Sequence, residues 1–248
     1  MTDAPDFSTV AKEYGAARPG YPADLFDWLA SVVPRHETAL DTATGSGQAA
    51  WGLADRFDRV IALDVSAEQL RHARPHPRVA YRLGRAEECG LPDASVDLVV
   101  AAAAIHWFDL PRFYREVRRV GREGGVVAAW TYHVAHVDAP LDGILWSFYK
   151  DVLGPYYPPH VRLVDERYAG IHLPGEELNP PSFHSTVRWN AGQVAGFVRT
   201  WSAVPIYIGA TKRDPVPELE AEIAAAFGGP DVVRELSFPL YVRAARLS

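Results

Sequence analysis

At 248 residues, with 48% hydrophobic and 23% charged side chains, the chain has an ordinary globular balance and enough length for a sizeable core. A formal net charge of -6 speaks against a general nucleic-acid or anionic-membrane surface. One cysteine, Cys89, excludes an internal disulfide, and Met1 to Asp6 lacks the basic and apolar regions of a signal peptide, so a cytoplasmic protein with no membrane span is expected.

Pro22 to Val33 predicts a helix, with Leu25, Phe26, Trp28, Leu29 and Val32 at helical spacing on a core-facing stripe. From residue 38 to 130, β-rich runs near 38–41, 60–64, 79–83, 96–101 and 125–130 alternate with helical patterns. Such alternation predicts right-handed βαβ units and a parallel sheet covered on both faces. Arg112, Arg115, Arg118, Arg119 and Arg122 recur mostly at three- and four-residue spacings and read as a solvated helix face. His133 and His136 lack the further ligands a metal site needs, and no metal is expected. Residues 139–179 leave the alternation: a helical stretch, Leu141 to Leu153, ends at Pro155, and the segment is too long for a plain connection, so it reads as a cap. A strand at Phe183 to Trp189, helices at Ala191 to Ala203 and Pro217 to Phe227, and a strand near Leu236 to Leu247 follow. Pro239 in that last strand calls for a bulge.

The chemistry concentrates at residues 39–50. A short apolar run ends in Asp41 and passes at once into Gly45-Ser46-Gly47-Gln48-Ala49-Ala50, a loose G-x-G-x-x-A turn into a helix. Asp41 would repel a pyrophosphate but suits an ammonium group, and Asp64, ending the next run, falls where a carboxylate takes both hydroxyls of a ribose. Together they describe S-adenosylmethionine, against the plainer reading that the two carboxylates cap helices and the glycines make a turn. Ala43 asks only that its position keep negative φ. Asp41, Asp64, Glu87, His106 and Tyr132 lie at or just past strand carboxyl ends, where ligands of such sheets collect. Alanines 101–104 suggest backbone close to a sulfonium, with Ala103 among them, and then a wall at His106 and Trp107. His106 is either a base or hydrogen-bond donor toward the acceptor, or a structural residue.

The Leu-Asp-x-Ala-x-Gly-x-Gly-Gln stretch, Ala62-Leu63-Asp64-Val65-Ser66, Gly84-Arg85-Ala86-Glu87 and Leu91 to Val99 resemble motifs I to III of the class I S-adenosylmethionine-dependent methyltransferases. Tyr14, Arg18-Pro19-Gly20-Tyr21-Pro22 and Ile105-His106-Trp107-Phe108-Asp109 are most similar to the small-molecule branch containing trans-aconitate methyltransferase (methyltransferase type 11). The resemblance implies an α/β, Rossmann-like fold: a seven-stranded, mostly parallel sheet, helices on both faces, the final strand antiparallel between its neighbours and a cap insert after strand 5. It implies one domain, with residues 1–21 as a lid, 22–133 as the cofactor-binding core, 134–179 as the cap and 180–248 completing the sheet. Cofactor contacts then fall to Asp41, Ala43, Gly45, Gly47, Gln48, Asp64, Val65, Ala86, Glu87 and Ala103. Arg85 stands where the family commonly has an Asp for the adenine amino group, which leaves that contact to the Ala86 backbone or the Glu87 side chain. Tyr14, Arg18, Trp107, Tyr132 and Trp146 are the candidate substrate contacts, and His106 the candidate catalytic residue. The implied reaction is methyl transfer to a small-molecule acceptor, a carboxylate or a hydroxyl. The rivals are a non-catalytic or cyclising S-adenosylmethionine-binding relative and an NAD-dependent oxidoreductase.

Overall fold

The computed structural model describes residues 17–248, in which an eight-stranded sheet carries helices on both faces. The first half of the chain supplies α1 (Ala23–Ser31), β1 (Thr38–Thr42), α2 (Gln48–Ala54), β2 (Arg59–Asp64), α3 (Ala67–Arg71), β3 (Val79–Leu83), β4 (Val96–Ala102), α4 (Leu110–Val120) and β5 (Gly121–Thr131). The second half supplies α5 (Ala139–Ser147), α6 (Arg162–Asp165), β6 (Glu176–Leu178), β7 (Phe183–Trp189), α7 (Ala191–Arg199), α8 (Ala203–Thr211), α9 (Val216–Phe227) and β8 (Arg234–Arg246). Strand order is β3-β2-β1-β4-β5-β8-β6, with β7 also on β8. β1 to β5 are parallel, and β8 runs antiparallel between β5 and its other neighbours. Eight strands stand where seven are expected because two short pieces share the far side of β8: β6 pairs with residues 244–246 and β7 with 234–240.

Side-chain alternation sorts the core into two layers. Ala39, Val60, Leu98, Val126, Ala128 and Trp130 face one side and pack with α1, α2, α7 and α9, whereas Leu40, Ile61, Val99, Val127 and Ala129 face the other and pack with Phe113, Val117 and Val120 of α4. Arg112, Arg115 and Arg118 of α4 are exposed, as a solvated face requires, while Arg119 and Arg122 are tied to Glu116, Asp93, Glu37 and Asp97. No described helix is long and apolar enough to cross a membrane.

Three local expectations fail for physical reasons. The helix from Ala191 stops at Arg199 and a second, unexpected helix starts at Ala203, because Pro205 has no N–H to continue the first and fits only in an opening turn. The cap helix ends at Ser147 and passes into a π turn, Phe148–Val152, before Pro155. The β7–β8 register runs unshifted through His184↔Pro239, so the expected bulge is absent. Ser237 bonds to His136 on the β5 edge, so the Pro239 nitrogen two residues on faces that edge too, and there pairing with β5 has ended at Thr131↔Tyr241.

Candidate active site

The carboxyl ends of β1 and β2 meet in one knot of polar groups. Asp41 is fully buried; its Oδ2 accepts a 2.5 Å hydrogen bond from Thr44 Oγ1, and its Oδ1 has no partner. Burial, opposed by the Thr44 hydroxyl and the Ala50 amide and aided by the nearby Asp64 charge, pushes the Asp41 carboxyl up to about 7. Asp64 accepts the Gly45 N–H on Oδ2 at 2.7 Å and the Ser66 N–H on Oδ1 at 2.8 Å, which fixes the plane of the carboxylate and leaves further lone pairs. Burial raises its pKa as well.

Between these carboxylates the backbone turns left-handed three times, at Ala43 (φ 56), Gly45 (φ 57) and Gly47 (φ 89). The expectation of a negative φ at Ala43 is therefore wrong: the strand must turn sharply so that the Thr44 N–H reaches Leu63 O at 2.7 Å. A Cβ at Gly47 would lie 2.2 Å from the Tyr81 hydroxyl, so only glycine keeps this loop against β3. Gln48 reaches back to the Arg18 carbonyl at 3.4 Å. Val65 is 62% exposed and Leu83 66% exposed, two bare apolar side chains at the ends of β2 and β3. Ala86 is buried, and Glu87 accepts the Asp109 N–H at 3.0 Å with Arg85 Nε 3.7 Å away, which binds the loop after β3 to the start of α4. The buried Gln69, whose Oε1 has no partner, stands about where a Gly45 Cβ would touch it, at 4.0 Å; no sequence motif marks it.

Beside this knot lies a cavity of about 100 Å³, lined among others by Arg18, Ala103, His106, Trp107, Tyr132 and Tyr157. Ala103 turns left-handed (φ 51) at the end of β4 and drives the following 3-10 turn, Ile105–Trp107, toward the cavity. Arg18 donates to the Tyr132 hydroxyl at 3.1 Å and to Thr200 O at 3.0 Å. His106 Nδ1 lies 2.7 Å from the hydroxyl of the fully buried Tyr168. Burial, then the neighbouring His160 and Arg18, holds the imidazole down at about 3, so it stays neutral at physiological pH. Trp107 packs on His160 at 4.0 Å between ring centroids. Trp146 is not among the lining residues; it stacks on His133, which is, at 4.7 Å. His133 and His136 go to different carboxylates, Asp165 and Asp142. Tyr14 lies outside the described residues.

Residues 40–129 match the family described as "Methyltransferase domain". A methyltransferase from Dictyostelium discoideum is 30% identical over 95% of this chain and 92% of its own length. The chain belongs to the methyltransferase family. A structure described as a type II methyltransferase from Anaeromyxobacter dehalogenans superposes with TM-score 0.84 at 42% identity, covering 92% of this chain and 97% of that one. The malonyl-[acyl-carrier protein] O-methyltransferase of Pectobacterium atrosepticum is 39% identical over 106 residues, 40% of this chain and 41% of that protein. The family's cofactor is S-adenosylmethionine, and the knot at β1 and β2 fits it. The orphaned Asp41 Oδ1 suits the ammonium of the methionine end, Asp64 suits vicinal hydroxyls, and bare Val65 and Leu83 suit a flat base.

The fold brings the carboxylates and glycines singled out in the sequence, with Arg18, Ala103, His106, Trp107 and Tyr132, to one edge. Tyr157, Tyr168, Thr200 and Gln69 join them there from loops and helices that carry no motif.

Proposed function

We propose that this methyltransferase methylates a carboxylate oxygen of a small organic acid seated between Arg18 and His106. The observation that carries the reading is the pairing of a permanent cation, Arg18, with an imidazole held down at about 3 in one cavity of about 100 Å³. So weak a base is a poor proton acceptor for a phenol or alcohol, whereas a carboxylate is already ionised and needs none. The Tyr157 hydroxyl, buried and without a partner, lines the same cavity and supplies a further donor for an anion. A relative named for O-methylation of a malonyl group is consistent with this acceptor class.

Bound S-adenosylmethionine supplies an electrophilic methyl group on its sulfonium. The chain's task is alignment: Arg18 and Tyr157 hold the acid, the Ala103 turn lets the backbone approach, and Trp107 and Tyr132 exclude water. Positioning of this kind is worth about 7–11 kcal/mol in well-oriented reactions.

Incubation with labelled S-adenosylmethionine and matched panels of small acids, phenols and alcohols tests the reading. Label should leave as methyl esters, with a rate at saturating cofactor that is flat from about pH 5 to 8 because His106 does not titrate there. Arg18→Gln should raise KM for the acid roughly 10- to 100-fold through loss of charge-assisted hydrogen bonds. Labelled phenol or alcohol ethers, formed with an acid limb that disappears in His106→Gln, would overturn it.

A further inference from the structure

A neutral imidazole has one nitrogen that donates and one that accepts, so the partner of Nδ1 decides what Nε2 offers. In His106 that partner is Tyr168, 2.7 Å away and 62 residues along the chain. The loop carrying it makes an expensive shape: Arg167 and Tyr168 are consecutive left-handed residues, φ 55 and 57, and neither is glycine. That shape is held from several sides. The Tyr168 N–H donates to Leu163 O at 2.8 Å, Arg243 of β8 donates to the carbonyls of Tyr168 and Ala169, and the Arg167 guanidinium lies 5.1 Å over the Tyr241 ring. The ring itself is fully buried in the core layer under β4 and β5. Strain kept in place by neighbours points to a requirement at the side chain's tip. At 2.7 Å the contact is at the short end for an N–H···O bond and ordinary for an O–H donor, and a phenol O–H is a stronger donor than an imidazole N–H, which favours the phenol hydrogen as the one given.

We propose that Tyr168 is a positioning residue that donates to His106 Nδ1 and so fixes the Nε2–H tautomer, making His106 a hydrogen-bond donor toward the acceptor oxygen. This rests on His106 bordering the acceptor, as in the carboxylate reading. A base would need the opposite tautomer, with a lone pair on Nε2. The arrangement selects acceptors that arrive already ionised and accept a hydrogen bond, and it disfavours those that must lose a proton.

The test is the tautomer itself. Protein with 15N-labelled histidine, one of nine of which is His106, is examined by long-range proton–nitrogen correlation, the His106 signal being identified by its loss in His106→Gln. A single Nε2–H form is expected. Tyr168→Phe keeps the ring and should give a tautomer mixture, with kcat falling about tenfold for the loss of one hydrogen bond. In His106→Gln, whose amide has no tautomer to fix, the same substitution should add almost nothing. An Nδ1–H form in the parent protein, or Tyr168→Phe and His106→Gln effects that simply add, would overturn the proposal. The spectrum is read without any acceptor, so its failure is separate from failure of the carboxylate reading.

Discussion

A carboxylate buried without a counter-charge is a cost that a ligand can relieve, and Asp41 is such a group. Its pKa rises from 3.8 to about 7 on folding, so between those values the folded protein binds more protons than the unfolded chain. Ionisation of this residue therefore lowers stability as pH climbs through that window, and the penalty is complete above about 7. An ammonium placed at the orphaned Oδ1 reverses the preference and ionises the group. At pH 6, calorimetry in buffers of different ionisation heat should therefore show nearly one proton released as S-adenosylmethionine binds. Asp41→Asn should abolish that release and weaken the cofactor at least tenfold, while raising the melting temperature of the ligand-free protein by roughly 2–4 °C per kcal/mol relieved. Binding heats that do not vary with buffer would remove Asp41 from the ammonium site.

At the scale of the elements, the loops that leave β1 and β4 share a device: each strand turns left-handed at an alanine, Ala43 with φ 56 and Ala103 with φ 51. In both cases the turn places a backbone N–H on a neighbouring strand end, Thr44 on Leu63 O and Ala103 on Trp130 O, each at 2.7 Å. A left-handed alanine costs about 1–2 kcal/mol, and glycine avoids this at a smaller entropic cost of about 0.5–1 kcal/mol. Ala43→Gly should thus stabilise the protein by about 0.5–1 kcal/mol in denaturant titration with an unchanged slope; a loss of stability would mean that the methyl group packs usefully. The reverse conformation was the natural expectation for Ala43, because φ is not encoded in residue type once glycine is absent. Strand β2, by contrast, is legible almost to the residue, since a buried parallel strand must be an unbroken apolar or β-branched run bounded by turns. The segment between β5 and β6 is legible only as a departure from alternation. Its π turn and 3-10 turns, broken by Pro155, Pro158 and Pro159, have no period to detect. Tyr168 was illegible for another reason: its meaning lies in a partner 62 residues away.

For the whole molecule, the proposed function requires the segment between β5 and β6 to stay closed over the carboxyl edge of the sheet. One polar cluster ties the two together. His133, just past β5, has its Nδ1 accepting the Val134 N–H at 2.8 Å, so its Nε2 carries the hydrogen and donates to Asp165 of α6 at 2.9 Å. Tyr149 of the π turn donates to the same Asp165 oxygen at 2.6 Å. Burial pushes the Asp165 carboxyl up, but these two hydrogen bonds and the nearby Lys150 charge outweigh that and hold it below its usual range. A depressed carboxylate contributes stability above its unfolded pKa and loses it as pH falls through the folded value, so the tie is intact at neutrality and weakens only in acid. Asp165→Ala leaves the His133 and Tyr149 donors without their acceptor, at about 1–3 kcal/mol for each group that stays buried. Because Tyr149 and Asp165 lie in that segment and His133 at its root, the loss should be local. Hydrogen exchange should quicken across residues 148–165 while the amides of β1, β2 and β4 keep their protection, and KM for the acceptor should rise several-fold with cofactor affinity little changed. Protection lost evenly over the sheet would make Asp165 a general stability residue, and unchanged exchange in the cap would show that apolar packing alone closes the cavity.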